Sequence, residues 1–256
     1  MKLVSWNVNS VRARQQRMTA WVAANAPDVL CLQELKVETE NFPSEALDGY
    51  HVAAWGQRSY NGVAIAARQP LSDVTRGFGD GGDDEQARVI AATVAGTRVV
   101  CVYVPNGQEL GSQAFAYKLD WLGRLRRYLD RVAKPTDPLV LCGDMNVTPD
   151  DRDVHDPEAW RGRIHTTDEE RAALRGVVEH GLTDVFRHHH GDQRAWSWWD
   201  YRGVDFFKDR GLRIDVVYAS APLIARSRDC RIDREARKGK DASDHAPVIW
   251  DVADIS

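Results

Sequence analysis

The sequence predicts an α/β fold, a mixed β-sheet or a pair of sheets covered by helices. Three observations carry that expectation. Short apolar runs rich in β-branched residues alternate with helical stretches along most of the 256 residues. About ten such runs stand against three clear helices. No repeat and no Gly/Ser- or Pro-rich linker interrupts the pattern, so residues 1–256 read as a single domain.

The expected strands lie at 2–6, 28–32, 51–54, 62–67, 88–94, 97–104, 139–142, 195–199, 212–219 and 247–252. After the first strand, Val11, Met18, Trp21 and Val22 share one face of a helix over 11–25, which Pro27 ends. Behind a Ser112 cap, Phe115, Leu119, Leu122, Leu125, Leu129 and Val132 repeat at helical spacing until Pro135. A third helix covers 168–180 and stops at Gly181, a residue suited to the left-handed C-terminal position. In Trp196-Ser197-Trp198-Trp199, alternation places Trp199 in the core and Trp198 on the opposite face. Acidic loops stand out at 80–85 and 150–158.

Composition excludes several classes. With 43% apolar residues and 28% charged residues of mixed sign, the chain can bury a core and is not disordered. Its 34 basic and 38 acidic residues leave a net charge of −4, which excludes binding of nucleic acid or membranes by bulk charge but allows a local basic face. No apolar run reaches the roughly 20 residues that span a bilayer, and the N-terminus turns polar too soon for a signal peptide. Four separated cysteines, three of them inside apolar runs, suit buried thiols in a reducing cytosol. The expected location is cytoplasmic. His188-His189-His190 reads as a surface run, because consecutive side chains diverge too far to share an ion. The basic segment 226–240 reads either as a solvated face or as a source of phosphate contacts.

Function is written at the strand ends. The run at 2–6 leads into Asn7 and Asn9, and that at 28–32 into Gln33 and Glu34. The run at 97–104 carries Tyr103 and leads into Asn106, and that at 139–142 leads into Asp144 and Asn146. Asp215 lies within 212–219, and Ser243-Asp244-His245 precedes the last strand. Loops at strand ends converge on one edge of an α/β sheet, so together these residues point to one site. Glu34, Asp144 and Asp244 are hard oxygen ligands, and Asn7, Asn9 and Asn146 can add carbonyl oxygens, a Mg²⁺ or Mn²⁺ environment. His245 and Asp215 supply an orientable acid/base, while Tyr103 and Asn106 can donate to a phosphate oxygen. The economical chemistry is metal-assisted hydrolysis of a phosphate ester.

Trp6-Asn7-Val8-Asn9, Leu32-Gln33-Glu34-Leu35-Lys36, Asn61-Gly62-Val63-Ala64-Ile65, Tyr103-Val104-Pro105-Asn106-Gly107, Gly143-Asp144-Met145-Asn146-Val147, Trp198-Trp199-Asp200-Tyr201-Arg202, Leu212-Arg213-Ile214-Asp215 and Ser243-Asp244-His245-Ala246-Pro247 occur in that order. In these motifs the chain resembles exonuclease III and its AP-endonuclease relatives, within the endonuclease/exonuclease/phosphatase superfamily. The resemblance implies a four-layered α/β sandwich of two mixed sheets packed face to face with helices outside. It implies that Glu34, with Asn7 and Asp244, holds Mg²⁺ (Mn²⁺ as substitute), and that Asp144 and Asn146 also belong to the metal site. Asp144, positioned by Asn146, would orient or deprotonate the attacking water. His245, aligned by Asp215, would neutralise the scissile phosphate, with Tyr103 and Asn106 completing the oxyanion environment. Trp198, Leu212 and Ile214 would form a pocket for a base-less sugar, and Arg12, Lys36, Tyr60, Asn61 and Arg88 would touch the DNA backbone. The chain departs from the family pattern at Asn9, where some relatives have Asp, at Ser10 and Ala87, where Gly is common, and at Leu212, where some have Trp.

The function so implied is a Mg²⁺-dependent DNA repair nuclease acting as a monomer. It would cut duplex DNA 5′ to abasic sites and remove nucleotides or blocking groups from 3′ ends. Two alternatives compete: a superfamily phosphodiesterase for lipid or small-molecule phosphates, and a non-catalytic DNA-binding relative. The DNA-repair motifs argue against the first, and the intact acidic and histidine set against the second.

Overall fold

The computed structural model describes residues 1–82 and 86–253; the end of the acidic loop at 80–85 lies outside them. Among the described residues, twelve strands form two six-stranded sheets. They are β1 (Lys2–Asn7), β2 (Val29–Gln33), β3 (His51–Trp55), β4 (Val63–Ala67), β5 (Leu71–Arg76), β6 (Val89–Val94), β7 (Thr97–Tyr103), β8 (Leu139–Asp144), β9 (Leu182–Asp184), β10 (Asp215–Ser220), β11 (Ser227–Ile232) and β12 (Val248–Val252). The first sheet runs β11-β12-β1-β2-β4-β3 and the second β5-β6-β7-β8-β10-β9. Each sheet is mixed, with one parallel pair (β1 with β2, β7 with β8) among antiparallel neighbours.

Period-2 alternation builds the layers. Along β2, Val29 and Cys31 point into the core between the sheets, where they meet Cys101, Val140, Cys142 and Val217. Leu30 and Leu32 point the other way, onto Val11, Met18 and Val22 of α1 (Val11–Asn25). On the far side α2 (Gln113–Val132) lays Trp121, Leu122, Leu125 and Leu129 over Val100, Leu139 and Leu141. Each of those fully buried leucines contributes about 1.5–3 kcal/mol of transfer free energy. The order helix, sheet, sheet, helix is the expected four-layered sandwich.

The helix signals act where the sequence places them. Ser10 Oγ accepts the Ala13 N–H, and Ala26 turns left-handed (φ 46°) ahead of Pro27. Ser112 Oγ accepts the Phe115 N–H. Thr167 and Glu170 close a reciprocal capping box at the start of α4 (Asp168–Val178), which follows the short α3 (Pro157–Trp160). All four cysteines are buried and free. Two further short helices are α5 (Val185–His190) and α6 (Ala221–Ile224). His188 is exposed as expected, and the half-buried His189 and His190 of α5 also lean on β11, through Ser227 Oγ and the Cys230 carbonyl.

Two expectations are corrected. The run at 195–199 is not a strand: Trp198 makes only isolated bridges to Leu212 and His245, forming a crosspiece between strand ends. The strand expected from 212 starts at Asp215, because the residues before it bond elsewhere: the Arg213 N–H to the Asp153 carbonyl, and the Met145 N–H to the Ile214 carbonyl.

Candidate active site

The two sheets place their polar strand ends against one another. Register aligns three groups across the second sheet, Tyr103 beside Asp144 and Asp144 beside Asp215. The first sheet supplies Asn7 beside Gln33, with Glu34 one residue on. Gly143 permits this packing, since a Cβ there would lie 1.9 Å from the Val102 carbonyl oxygen. Asn9, Glu34, Lys36 and Asn146 all hold positive φ (45°, 53°, 53° and 48°), the tight turns that fold side chains back over the strand ends.

Asn7 stands at the centre. Its amide N–H groups donate to Glu34 Oε1 at 2.8 Å and Asp144 Oδ2 at 2.9 Å, while its oxygen accepts the Asn9 N–H at 3.0 Å. That last bond fixes the orientation of the amide. His245 Nδ1 donates to Asp215 Oδ2 at 2.8 Å, turning Nε2 to within 3.8 Å of Asp144 Oδ2. Asn146 donates its backbone N–H to Asp144 Oδ1 at 2.9 Å and its side-chain amide to the Val104 carbonyl, and it accepts from Asn106 Nδ2 at 3.3 Å. Lys36 Nζ bridges Glu34 Oε2 (2.8 Å) and Asn9 Oδ1 (2.5 Å).

Burial and mutual charge set the protonation states. Burial pushes the Asp144 carboxyl up to about 7, His245 opposing the rise and Asp215 and Glu34 adding to it. For His245 burial disfavours the cation, but Asp215 and Asp144 outweigh it and carry the imidazole up to about 10. Burial, then Glu34 and Asp144, holds the Tyr103 phenol well above its usual range, so it remains a donor. The Arg88 guanidinium lies 4.7 Å over the Tyr103 ring.

Among the described residues, Glu34, Asp144 and His245 form the group able to hold a metal ion, their ligand atoms all within 4.8 Å of one another. Two facing carboxylates fit a hard divalent cation. The other expected ligands are placed differently. Asp244 lies outside that group, its oxygens accepting from Asn9 Nδ2 (2.8 Å) and Trp198 Nε1 (3.1 Å). Asn7 turns its N–H groups, not its oxygen, toward the carboxylates, and the Asn146 oxygen faces Asn106.

The expected sugar pocket is closed. Leu212 and Ile214 are 0% and 2% exposed, packed with Val154 beneath a half-buried Trp198. Of the expected backbone contacts, Arg12 and Tyr60 are exposed and Lys36 and Arg88 half-buried. Asn61 is buried, donating to Gln57 and Gln86. In the basic segment, Arg234 and Arg237 stack on Phe206 and Tyr201 and brace the 200–210 loop. Sequence reasoning missed His165, whose ring leans on Trp198 and whose Nδ1 meets the Asn146 carbonyl. It also missed the role of Ser197, whose buried oxygen accepts the N–H groups of Ile214 (3.1 Å) and Asp215 (2.9 Å). The only available signal was a serine among three tryptophans.

The chain is 35% identical over 264 residues to the exodeoxyribonuclease III of Haemophilus influenzae, covering 98% of each. A Neisseria 3′ phosphatase solved with a product DNA hairpin superposes with a TM-score of 0.95 at 42% identity, covering 99% of both chains. An AP endonuclease from Archaeoglobus fulgidus superposes with a TM-score of 0.95 at 37% identity, covering 98% of this chain and 99% of that one. Residues 4–245 match the endonuclease/exonuclease/phosphatase family, a span that opens inside β1 and closes on His245 itself. The chain belongs to that family.

Proposed function

We propose that residues 1–256 act as one Mg²⁺-dependent DNA repair nuclease, which hydrolyses duplex DNA 5′ to abasic sites and removes nucleotides or blocking groups from 3′ ends. The observation that carries this reading is the pairing of Glu34 and Asp144 through Asn7, with His245 held by Asp215 on the other side. Glu34 and Asp144 would hold the cation, whose chemistry is to polarise a phosphoryl oxygen and ease deprotonation of water. Asp144, held by Asn7 and by the Asn146 N–H, orients the attacking water and takes its proton. His245, flanked by two carboxylates, carries positive charge to the scissile phosphate. Tyr103 and Asn106 donate to its remaining oxygens. Arg12, Lys36, Tyr60 and Arg88 lie on the approach of the DNA backbone. The closed cluster under Trp198 must open to admit an abasic sugar, whereas a 3′ end asks for no such pocket.

The test is hydrolysis of an abasic-site duplex and of a 3′-phosphate duplex by purified protein, before and after EDTA, with Mg²⁺ or Mn²⁺ restored. Metal-dependent product on both substrates is expected. Hydrolysis of neither, with turnover of a lipid or small-molecule phosphodiester instead, overturns the proposal. DNA binding with no hydrolysis of any of them identifies a non-catalytic relative.

A further inference from the structure

One fully buried charge takes no part in that chemistry. Lys118 lies on the sheet-facing side of α2, in the row that continues through Trp121, Leu122, Leu125 and Leu129, and is 0% exposed. An ammonium removed from water needs an acceptor for each of its three N–H groups. Lys118 has three. They are the Glu170 carboxylate of α4, itself fully buried, the Asn146 carbonyl at 2.7 Å and the Asn106 carbonyl at 3.0 Å. Glu170 is equally satisfied: Oε1 also accepts the His165 N–H at 3.0 Å, and Oε2 accepts the Thr167 N–H (3.1 Å) and hydroxyl (2.8 Å).

The two carbonyls are the point of interest. Asn106 follows β7 and Asn146 follows β8, and both turns carry groups assigned above to the phosphate and to Asp144. Their side chains meet on the site face at 3.3 Å, and the Asn146 N–H holds Asp144 Oδ1 at 2.9 Å. Asn146 keeps this geometry at φ 48°, a left-handed conformation that asparagine adopts more readily than other residues with a side chain. A single ammonium thus ties both turns together from beneath. A buried ion pair is a poor source of stability, since apolar residues of the same volume often serve as well. What an apolar pair cannot do is donate to two backbone carbonyls at once.

We propose that Lys118 and Glu170 form a positioning pair for hydrolysis, holding the Asn106 and Asn146 turns so that their amides and Asp144 face the phosphate. The inference rests on the catalytic reading of Asp144, Asn106 and Asn146. Neither Lys118 nor Glu170 touches the substrate; both act through those asparagines.

The test is the double variant Lys118→Met/Glu170→Leu, which removes both charges and leaves none unpaired. Steady-state kinetics on a 3′-phosphate duplex should show kcat reduced about 30-fold or more, with KM within about threefold of wild type. Leu125→Ala, a cavity variant in the same helix, should lower Tm yet keep kcat within about threefold when assayed well below its Tm. A double variant that stays folded with kcat within about threefold of wild type overturns the inference. So does an equal loss of kcat in Leu125→Ala, which makes the effect one of general stability. If the double variant does not accumulate as folded protein, Thr167→Val decides, because it removes one donor from Glu170 and leaves the pair in place. A kcat loss of about threefold to tenfold without a KM change supports positioning, and an unchanged kcat overturns it. Asn146→Ala separates the two levels. Full activity there refutes the catalytic reading of Asn146, whereas an inactive Asn146→Ala beside an active double variant refutes the positioning pair alone.

Discussion

Replacing Asn7 with leucine measures how much of turnover rests on holding two carboxylates together. Leucine keeps the branching and approximate volume of asparagine but removes the N–H groups that reach Glu34 at 2.8 Å and Asp144 at 2.9 Å. Each is a hydrogen bond to a charged group, contributing about 1.5–3 kcal/mol, so roughly 3–6 kcal/mol is at stake in gross. Water and the bound cation recover part of that in the variant. The share lost in the transition state should match that of a single preorganised donor, about 2.7–4 kcal/mol, or a 10²–10³-fold fall in kcat. The assay is single-turnover hydrolysis of a 3′-phosphate duplex at saturating Mg²⁺, with duplex affinity measured separately and expected to change by less than about threefold. Because Asn7 acts through Asp144, its loss should cost far less in an Asp144→Asn background than in wild type. A fall in kcat below about tenfold, or losses that simply add in the double variant, would refute the reasoning.

Glu34→Gln keeps shape but removes charge from a hard-cation site, so the Mg²⁺ concentration for half-maximal activity should rise by about tenfold or more and Mn²⁺ should partly restore turnover. An unchanged metal titration removes Glu34 from the ligand set. Ser197→Ala deletes one buried oxygen that accepts two backbone N–H groups. It should cost about 2–4 kcal/mol and lower Tm by roughly 5–15 °C, read by calorimetry; a shift near zero means that neither N–H was left unpaired. Trp198→Ala removes the lid over Leu212 and Ile214, and should lower the ratio of kcat/KM for abasic over intact duplex by about fivefold or more. A constant ratio assigns lesion choice to other residues.

What was legible in the chain followed from burial. Strands buried on both faces, such as β2 and β8, announce themselves as unbroken apolar runs, and their polar ends then mark the site. The strands the sequence concealed are β5, β9 and β11. β5 is an edge strand whose side chains mostly face solvent (Ser72, Asp73 and Thr75), and β11 is an edge strand that exposes Arg228 and Arg231 and buries only Cys230, so their pairing is dictated by β6 and β12 rather than by their own pattern. β9 is a three-residue edge strand, too short to show a period. Within the site, Asp144, Asp215 and His245 could be read from their places at strand ends. The inward turn of the Asn7 amide and the withdrawal of Asp244 toward Asn9 and Trp198 could not, because both depend on contacts between segments far apart in the chain. Lys118 did leave a trace. It occupies the apolar row of an amphipathic helix, a position where a lysine needs a buried partner.

The pairing of β1 with β12 sets when the candidate site is assembled. Ser243 Oγ donates to the Asn7 carbonyl across 236 residues of sequence, and Trp6 Nε1 donates to the His245 carbonyl across 239. On a ribosome, the first strand therefore waits for Val248–Val252 to be made before its antiparallel neighbour exists, and contacts of such separation slow folding. Until β12 docks, His245 has no place beside Asp144. A molecule in which β12 has not docked thus lacks the histidine of the candidate site.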